Sequence, residues 1–263
     1  MSQSPASNRT ASDAAPTNNP PSNDPSSDAA AQLSAAEPAA GGGGGPLAGA
    51  LDGMTLTALM SSRLCHDLVN PVGALSSGLE VLNDDDMDED MRAEAMSLVQ
   101  SSTEKTVAAL KYARLAYGMA GGYDRDVSLE EARDLLIGVY AFSKADLIWN
   151  VTALAAPKDH VKGLLLLAHA AADSVPRGGT VTVSGDKGVF LIEATGARVM
   201  MNDDVPKALA GDIDDLKPKH TPLYVAGLMA RRSGGKAAAA FDGERVRLAL
   251  QFGNAPTSDA DLS

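Results

Sequence analysis

The chain has 263 residues, a formal net charge of −12 and one cysteine, Cys65. An acidic surface repels a phosphate backbone, which argues against nucleic acid as a partner. A single cysteine leaves no internal disulfide and suits a reducing cytoplasm. No run of about 18 apolar residues is present to cross a membrane, and the N-terminus lacks a basic start followed by an apolar core. The expectation is an unexported, cytoplasmic protein that does not engage membranes.

Residues 1–46 contain almost no bulky apolar side chains. Such a segment cannot bury enough surface to offset its backbone entropy, and it reads as a disordered, low-complexity tail. Gly41 to Gly45 form a tether and not a phosphate loop, because no Gly-Lys-Ser/Thr follows them. From Met54 to about Asn83 the apolar residues follow a helix: turning about 100° per residue from Leu64, residues Leu68, Val72, Leu75, Leu79 and Leu82 fall in one stripe about 80° wide. The acidic run NDDDMDED supplies a turn and the cap of a second helix, from about Met91 to Gly118, which the doublet Gly121-Gly122 ends. Met91, Ala95, Leu98, Ser102, Ala109, Ala113 and Ala116 share one of its faces. A two-helix hairpin leaves its apolar seam wet, so residues 47–122 are expected to form a four-helix bundle as a symmetric homodimer.

Residues 123–253 change texture to α+β. SLEEARDLLIGVYAF opens with a capping box from Ser128 to Glu131. DLIWNVTA reads as a strand, and PKDHVKGLLLLAHAAADSV as a helix with Pro157 in its first turn. TVTVSG and GVFLIEAT are strands turned at Asp186-Lys187, followed by an Asp-rich loop. The helix TPLYVAGLMARRSGG and the strands KAAAAF and RVRLALQF, turned at Asp242-Gly243, complete a mixed sheet covered on one face by helices. Residues 254–263 are a short tail.

His66 lies about 200° from Leu64 on the first helix, opposite its apolar stripe, and Asn70, Gly73 and Ser77 share that outward face. Most lone histidines are unremarkable surface or core groups. An exposed imidazole, however, is partly neutral near pH 7, so one ring nitrogen is a free nucleophile. Asp67 can hold the other nitrogen, fixing the tautomer and stabilising the cation formed on attack. Pro71 removes a backbone hydrogen bond and can bend the helix one turn on. A zinc site fails because His160, His169 and His220 show no i, i+3 or i, i+4 pairing. A Cys65–His66 dyad fails because helix neighbours point about 100° apart.

His66-Asp67-Leu68-Val69-Asn70-Pro71 resembles the His-acid-x-x-Asn/Thr-Pro phosphoacceptor motif of histidine-kinase dimerisation helices. The wider LCHDLVNPVGALSSGLEVL, with Arg63, Cys65 and Val72-Gly73-Ala74, is similar to the alphaproteobacterial cell-cycle histidine phosphotransferase family, which is ChpT-like. The resemblance runs from about Leu51 to Phe252. It implies a helical hairpin followed by a degenerate histidine-kinase-ATPase-like domain. Kinases of this pattern carry a magnesium-binding asparagine before the PxGG turn, an Asp-x-Gly-x-Gly box and a glycine-rich second box. Here the three regions read His169-Ala170, Ala194-Thr195-Gly196-Ala197-Arg198 and HTPLYVAG from His220 to Gly227. The asparagine, the acid and the glycine pair are missing, so ATP is not expected to bind.

The expected function is a phosphorelay phosphotransferase. His66 takes a phosphoryl group from a receiver-domain aspartate and passes it to another receiver, with Mg2+ supplied by the receiver and no cofactor bound by this chain. The resemblance implies a hybrid kinase's receiver as donor and cell-cycle response regulators as acceptors. Asp67 and Asn70 are read as working beside His66, Pro71 as the bend, and Arg63, Gly73 and Ser77 as partner-binding residues. The rivals are an autophosphorylating sensor kinase and a non-catalytic dimeric scaffold.

Overall fold

The computed structural model describes residues 51–118 and 126–253. The tails at 1–46 and 254–263 and the Gly121-Gly122 stop lie outside the described residues. Helix α1 spans Gly53–Leu82 and opens at Asp52, whose carboxylate accepts the backbone N–H groups of Met54 and Thr55 at 3.0 Å. It runs unbroken through Pro71. Helix α2, Glu89–Ala116, is capped by Asp88, which accepts the Met91 N–H at 2.8 Å. The acidic run therefore caps as the sequence predicts, while α2 stops two residues before Gly118.

The two helices meet along Gly78 of α1 and Ala95, Val99 and Ser102 of α2. A Cβ on Gly78 would lie 2.7 Å from Val99 Cγ2 and 3.2 Å from the Ala95 carbonyl. This contact line is not centred on the predicted stripe. Val72, Leu79, Leu98, Val107 and Leu110 remain between 41% and 50% exposed, on a flank that one hairpin leaves open. At the other end of α2, Tyr112, Leu115 and Ala116 are buried with the second domain's core. That part of the seam is covered within the chain, contrary to the expectation that only a partner hairpin covers it.

The second domain begins with a short strand, β1 (Asp126–Ser128), and helix α3 (Leu129–Tyr140), where Ser128 Oγ accepts the Glu130 and Glu131 N–H groups. Strand β2 (Ala145–Val151) and strand β3 (Ala155–Pro157) follow, then helix α4 (Lys158–Ala171). Strands β1 and β3 pair antiparallel as a two-stranded ribbon with no signal in the sequence pattern, and Pro157 caps α4 from outside instead of sitting in its first turn. The main sheet has the order β2-β4-β5-β7-β6, with β4 at Gly179–Asp186, β5 at Val189–Thr195, β6 at Lys236–Phe241 and β7 at Arg245–Gln251. The β2–β4 pairing is parallel and the other three are antiparallel. Alternate residues face the helices: Val181 and Val183, Phe190 and Ile192, Leu248 and Leu250 are all buried.

Helix α4 is apolar all round from Leu164 to Ala168, as a helix must be when sheet lies on one side and helices on the other. The β4–β5 turn centres on Lys187 and Gly188, one residue later than expected, because both take the left-handed conformation and glycine adopts it without strain. The Asp-rich stretch is more ordered than the expected loop. It contains helix α5 (Asp204–Ala210) and a 3-10 turn at Pro218–His220, ahead of helix α6 (Thr221–Arg232). Helix α5 sits on α6, where Gly227 leaves no room for a Cβ beside the Leu209 carbonyl, and Arg231 donates to that same carbonyl.

Candidate functional site

His66 stands on the outer face of α1 with its side chain 76% exposed. Its Nδ1 faces Asp67 Oδ1 at 3.5 Å, the outer limit of a hydrogen bond. Asp67 Oδ2 accepts from Arg63 Nε at 2.9 Å. Exposure falls along this row: the Asp67 side chain is 22% exposed and that of Arg63 16%. Pro71 is buried; lacking an N–H, it cannot donate to the Asp67 carbonyl one turn back.

The second domain forms the far wall. Tyr112 donates to the Leu165 carbonyl at 3.2 Å, and Tyr140 donates to the Ala168 carbonyl at 2.6 Å. These bonds tie α2 and α3 to the spine of α4. Leu51, just before α1, donates its N–H to the Tyr224 hydroxyl on α6 at 2.9 Å, fixing the other end of the hairpin. Between hairpin and domain lies a cleft of about 260 Å³ lined by His66, Asp67, Tyr117, Tyr140, His169 and Asp173, among others.

The groups under His66 respond to this setting. Burial opposes the Arg63 charge, but Asp67 beside it, with Tyr117 and Asp173, raises its pKa overall. Burial pushes the Tyr117 phenol up to about 12, and its hydroxyl is the one buried side-chain oxygen among the described residues without a hydrogen-bond partner. His169 packs edge-on against Tyr112 with ring centroids 4.7 Å apart. Desolvation first, and the Arg63 charge second, lower its pKa and keep it neutral.

The sequence-predicted residues divide into two sets. His66, Asn70, Gly73 and Ser77 are all exposed on the outward side of α1, and a Cβ on Gly73 would meet nothing within 4 Å. That leaves room for an approaching molecule and removes any packing reason for the glycine. Arg63, expected to bind a partner, instead points inward and pairs with Asp67. The cleft residues Tyr117, Tyr140, His169 and Asp173 were not singled out as site residues by the sequence. Their only signal was a pair of tyrosines, Tyr112 and Tyr117, near the end of a helix otherwise rich in small residues.

Among the described residues no group of three or more His, Cys, Asp or Glu could hold a metal ion, and no helix is long and apolar enough to cross a membrane. The family model of the histidine phosphotransferase C-terminal domain matches residues 129–245. The protein phosphotransferase ChpT of Brucella abortus (strain 2308) is 35% identical over 133 residues, which cover 51% of this chain and 62% of that protein. The alignment thus spans just under two thirds of that relative's length. A solved bacterial phosphotransferase superposes with a TM-score of 0.68 at 28% identity, over 76% of this chain and 98% of that one. The histidine kinase AdeS of Acinetobacter baumannii also matches, with a TM-score of 0.37 and 10% identity over 72% of this chain and 97% of that one. Domain match, relative and solved neighbour converge: residues 129–245 match the histidine phosphotransferase C-terminal domain, and the chain is similar to ChpT-like phosphotransferases.

Proposed function

We propose that the chain is a phosphorelay phosphotransferase whose phosphoacceptor is His66. The observation that carries the reading is an imidazole 76% exposed on a helix, with its Nδ1 turned to a half-buried carboxylate. With the proton on Nδ1, Nε2 presents its lone pair to solvent. Nε2 attacks the phosphorus of a receiver's aspartyl phosphate, and the phosphorus–oxygen bond breaks as its electron pair returns to the aspartate. The ring gains a positive charge that Asp67 offsets. Onward transfer reverses these steps on a second receiver. Phosphoryl transfer depends on positioning and charge stabilisation, and the receiver brings the Mg2+.

The similarity to ChpT-like phosphotransferases supports two-component partners. A hybrid kinase's receiver as donor, and response regulators of the cell cycle as acceptors, follow the family resemblance. The open apolar flank of α1 and α2 supports a homodimer closing a four-helix bundle. ATP is not part of the chemistry. Gly227 accommodates the Leu209 carbonyl, Gly196 packs against the Gly178 carbonyl, and His169 is turned to Tyr112, so these positions serve packing.

Incubation with a phosphorylated receiver domain tests the reading. The expected result is an acid-labile label on the wild-type chain and none on His66→Gln. Label that persists in His66→Gln would falsify the assignment. Saturable binding of Mg2+-ATP in calorimetry would instead favour the kinase reading.

A further inference from the structure

Asp67 uses its two carboxylate oxygens on different neighbours: Oδ2 on Arg63 Nε at 2.9 Å and Oδ1 toward His66 Nδ1 at 3.5 Å. Among the described residues these are the two hydrogen-bonding partners of its side chain. The row His66–Asp67–Arg63 runs from solvent into the seam between hairpin and second domain, with side-chain exposure falling from 76% through 22% to 16%. An exposed i, i+4 ion pair contributes little and swings freely. Here the guanidinium is enclosed, its side chain 16% exposed, and its Nε bond to Oδ2 sets where the carboxylate points.

That direction matters for the ring. In water a neutral histidine favours the proton on Nε2, the tautomer that cannot attack through Nε2. A carboxylate held at Nδ1 reverses the preference, as an orienting acid does for other catalytic histidines. We propose that Arg63 is a positioning residue for phosphoryl transfer, holding Asp67 in the rotamer that keeps the proton on His66 Nδ1 and leaves Nε2 free. The inference rests on the phosphoacceptor role proposed for His66 and adds the residue that prepares it. As Nε2 bonds to phosphorus, the Nδ1 proton stays in place and the cationic ring faces the Asp67 carboxylate. When the nitrogen–phosphorus bond later breaks, its electron pair returns to Nε2 and the ring leaves neutral. Arg63 touches neither the phosphoryl group nor the ring, and it acts in both directions through Asp67. Without it Asp67 is free to rotate to solvent, and the ring reverts to its preference in water.

The test uses the full chain labelled with 15N-histidine, the His66 signals being assigned by difference against His66→Gln. Wild type is expected to show the proton on Nδ1 of neutral His66. Arg63→Met keeps an apolar stem without the charge; it should shift His66 toward the Nε2–H tautomer and slow transfer from a phosphorylated receiver at least tenfold. Arg63→Lys, which can still reach the carboxylate one turn on, should recover most of both. Arg63→Gln serves in place of Met if that variant fails to fold. An unchanged tautomer in the neutral variants overturns the proposal even if transfer slows, because Arg63 would then act by docking or packing. A shifted tautomer with transfer at the wild-type rate overturns it as well. A wild-type chain that takes no label from any phosphorylated receiver defeats the phosphorelay reading itself, a result distinct from either pattern of variants.

Discussion

Gly73 and Gly78 lie five residues apart on one helix, and alanine should act on them in opposite directions. In a helix interior Gly→Ala contributes about 1 kcal/mol through helix propensity when the methyl meets nothing. At Gly73 a Cβ finds no atom within 4 Å, so Gly73→Ala should stabilise by about 0.5–1 kcal/mol. At Gly78 the same methyl would lie 2.7 Å from Val99 Cγ2 and 3.2 Å from the Ala95 carbonyl. Valine is confined to one rotamer in a helix and a backbone oxygen cannot step aside, so α1 and α2 must separate. Overpacking of this kind costs about 1–3 kcal/mol, which outweighs the propensity gain and leaves a net loss of about 1 kcal/mol. For a folded part of this size each 1 kcal/mol moves Tm by about 2–4 °C, so the two variants should differ by several degrees in a thermal melt. Adding Val99→Ala removes the nearer obstacle, and Gly78→Ala should cost about 1 kcal/mol less in that background. A Gly78→Ala variant that stabilises as much as Gly73→Ala would refute the close helix crossing on which the hairpin reading rests.

Three other outcomes are expected. Arginine at Gly73 or Ser77, both exposed beside His66, should leave stability nearly intact and slow receiver-to-His66 transfer tenfold or more, a barrier increase of about 1.4 kcal/mol; normal rates in both variants would move docking to another face. Glutamate at Val72 or Leu79, on the open apolar flank, should turn a dimer into a folded monomer in light scattering, and an unchanged mass would place the interface elsewhere. Burial lowers the pKa values of His160, His169 and His220 below the ordinary value. The unfolded chain therefore binds protons first as pH falls, so the stability these neutral rings contribute is complete above about pH 6.5 and is lost progressively below it. Replacing His169 with Phe should flatten the dependence of Tm on pH between 7 and 5; an unaltered slope would show that His169 does not titrate with unfolding.

Helix periodicity is a local property, and so the sequence alone placed His66, Asn70, Gly73 and Ser77 on one outward face and put Asp67 beside the imidazole. The same holds for the Asp88 and Ser128 caps and for the alternating strands of the sheet, where each signal sits within a few residues of its effect. Strands β1 and β3, three residues each, are too short to show a period. Helix α5, seven residues long, exists because Gly227 and Arg231 on α6 receive it, and that contact is invisible until the chain has folded back. The family resemblance likewise singled out Arg63, but the sequence could not say which flank of α1 would be covered. That was decided by a domain that begins some sixty residues later and closes against α2 through Tyr112, whose hydroxyl donates to the Leu165 carbonyl. Its closure encloses the guanidinium, turns an expected partner-binding arginine into the inner member of the row behind His66, and creates the cleft at whose mouth the imidazole stands.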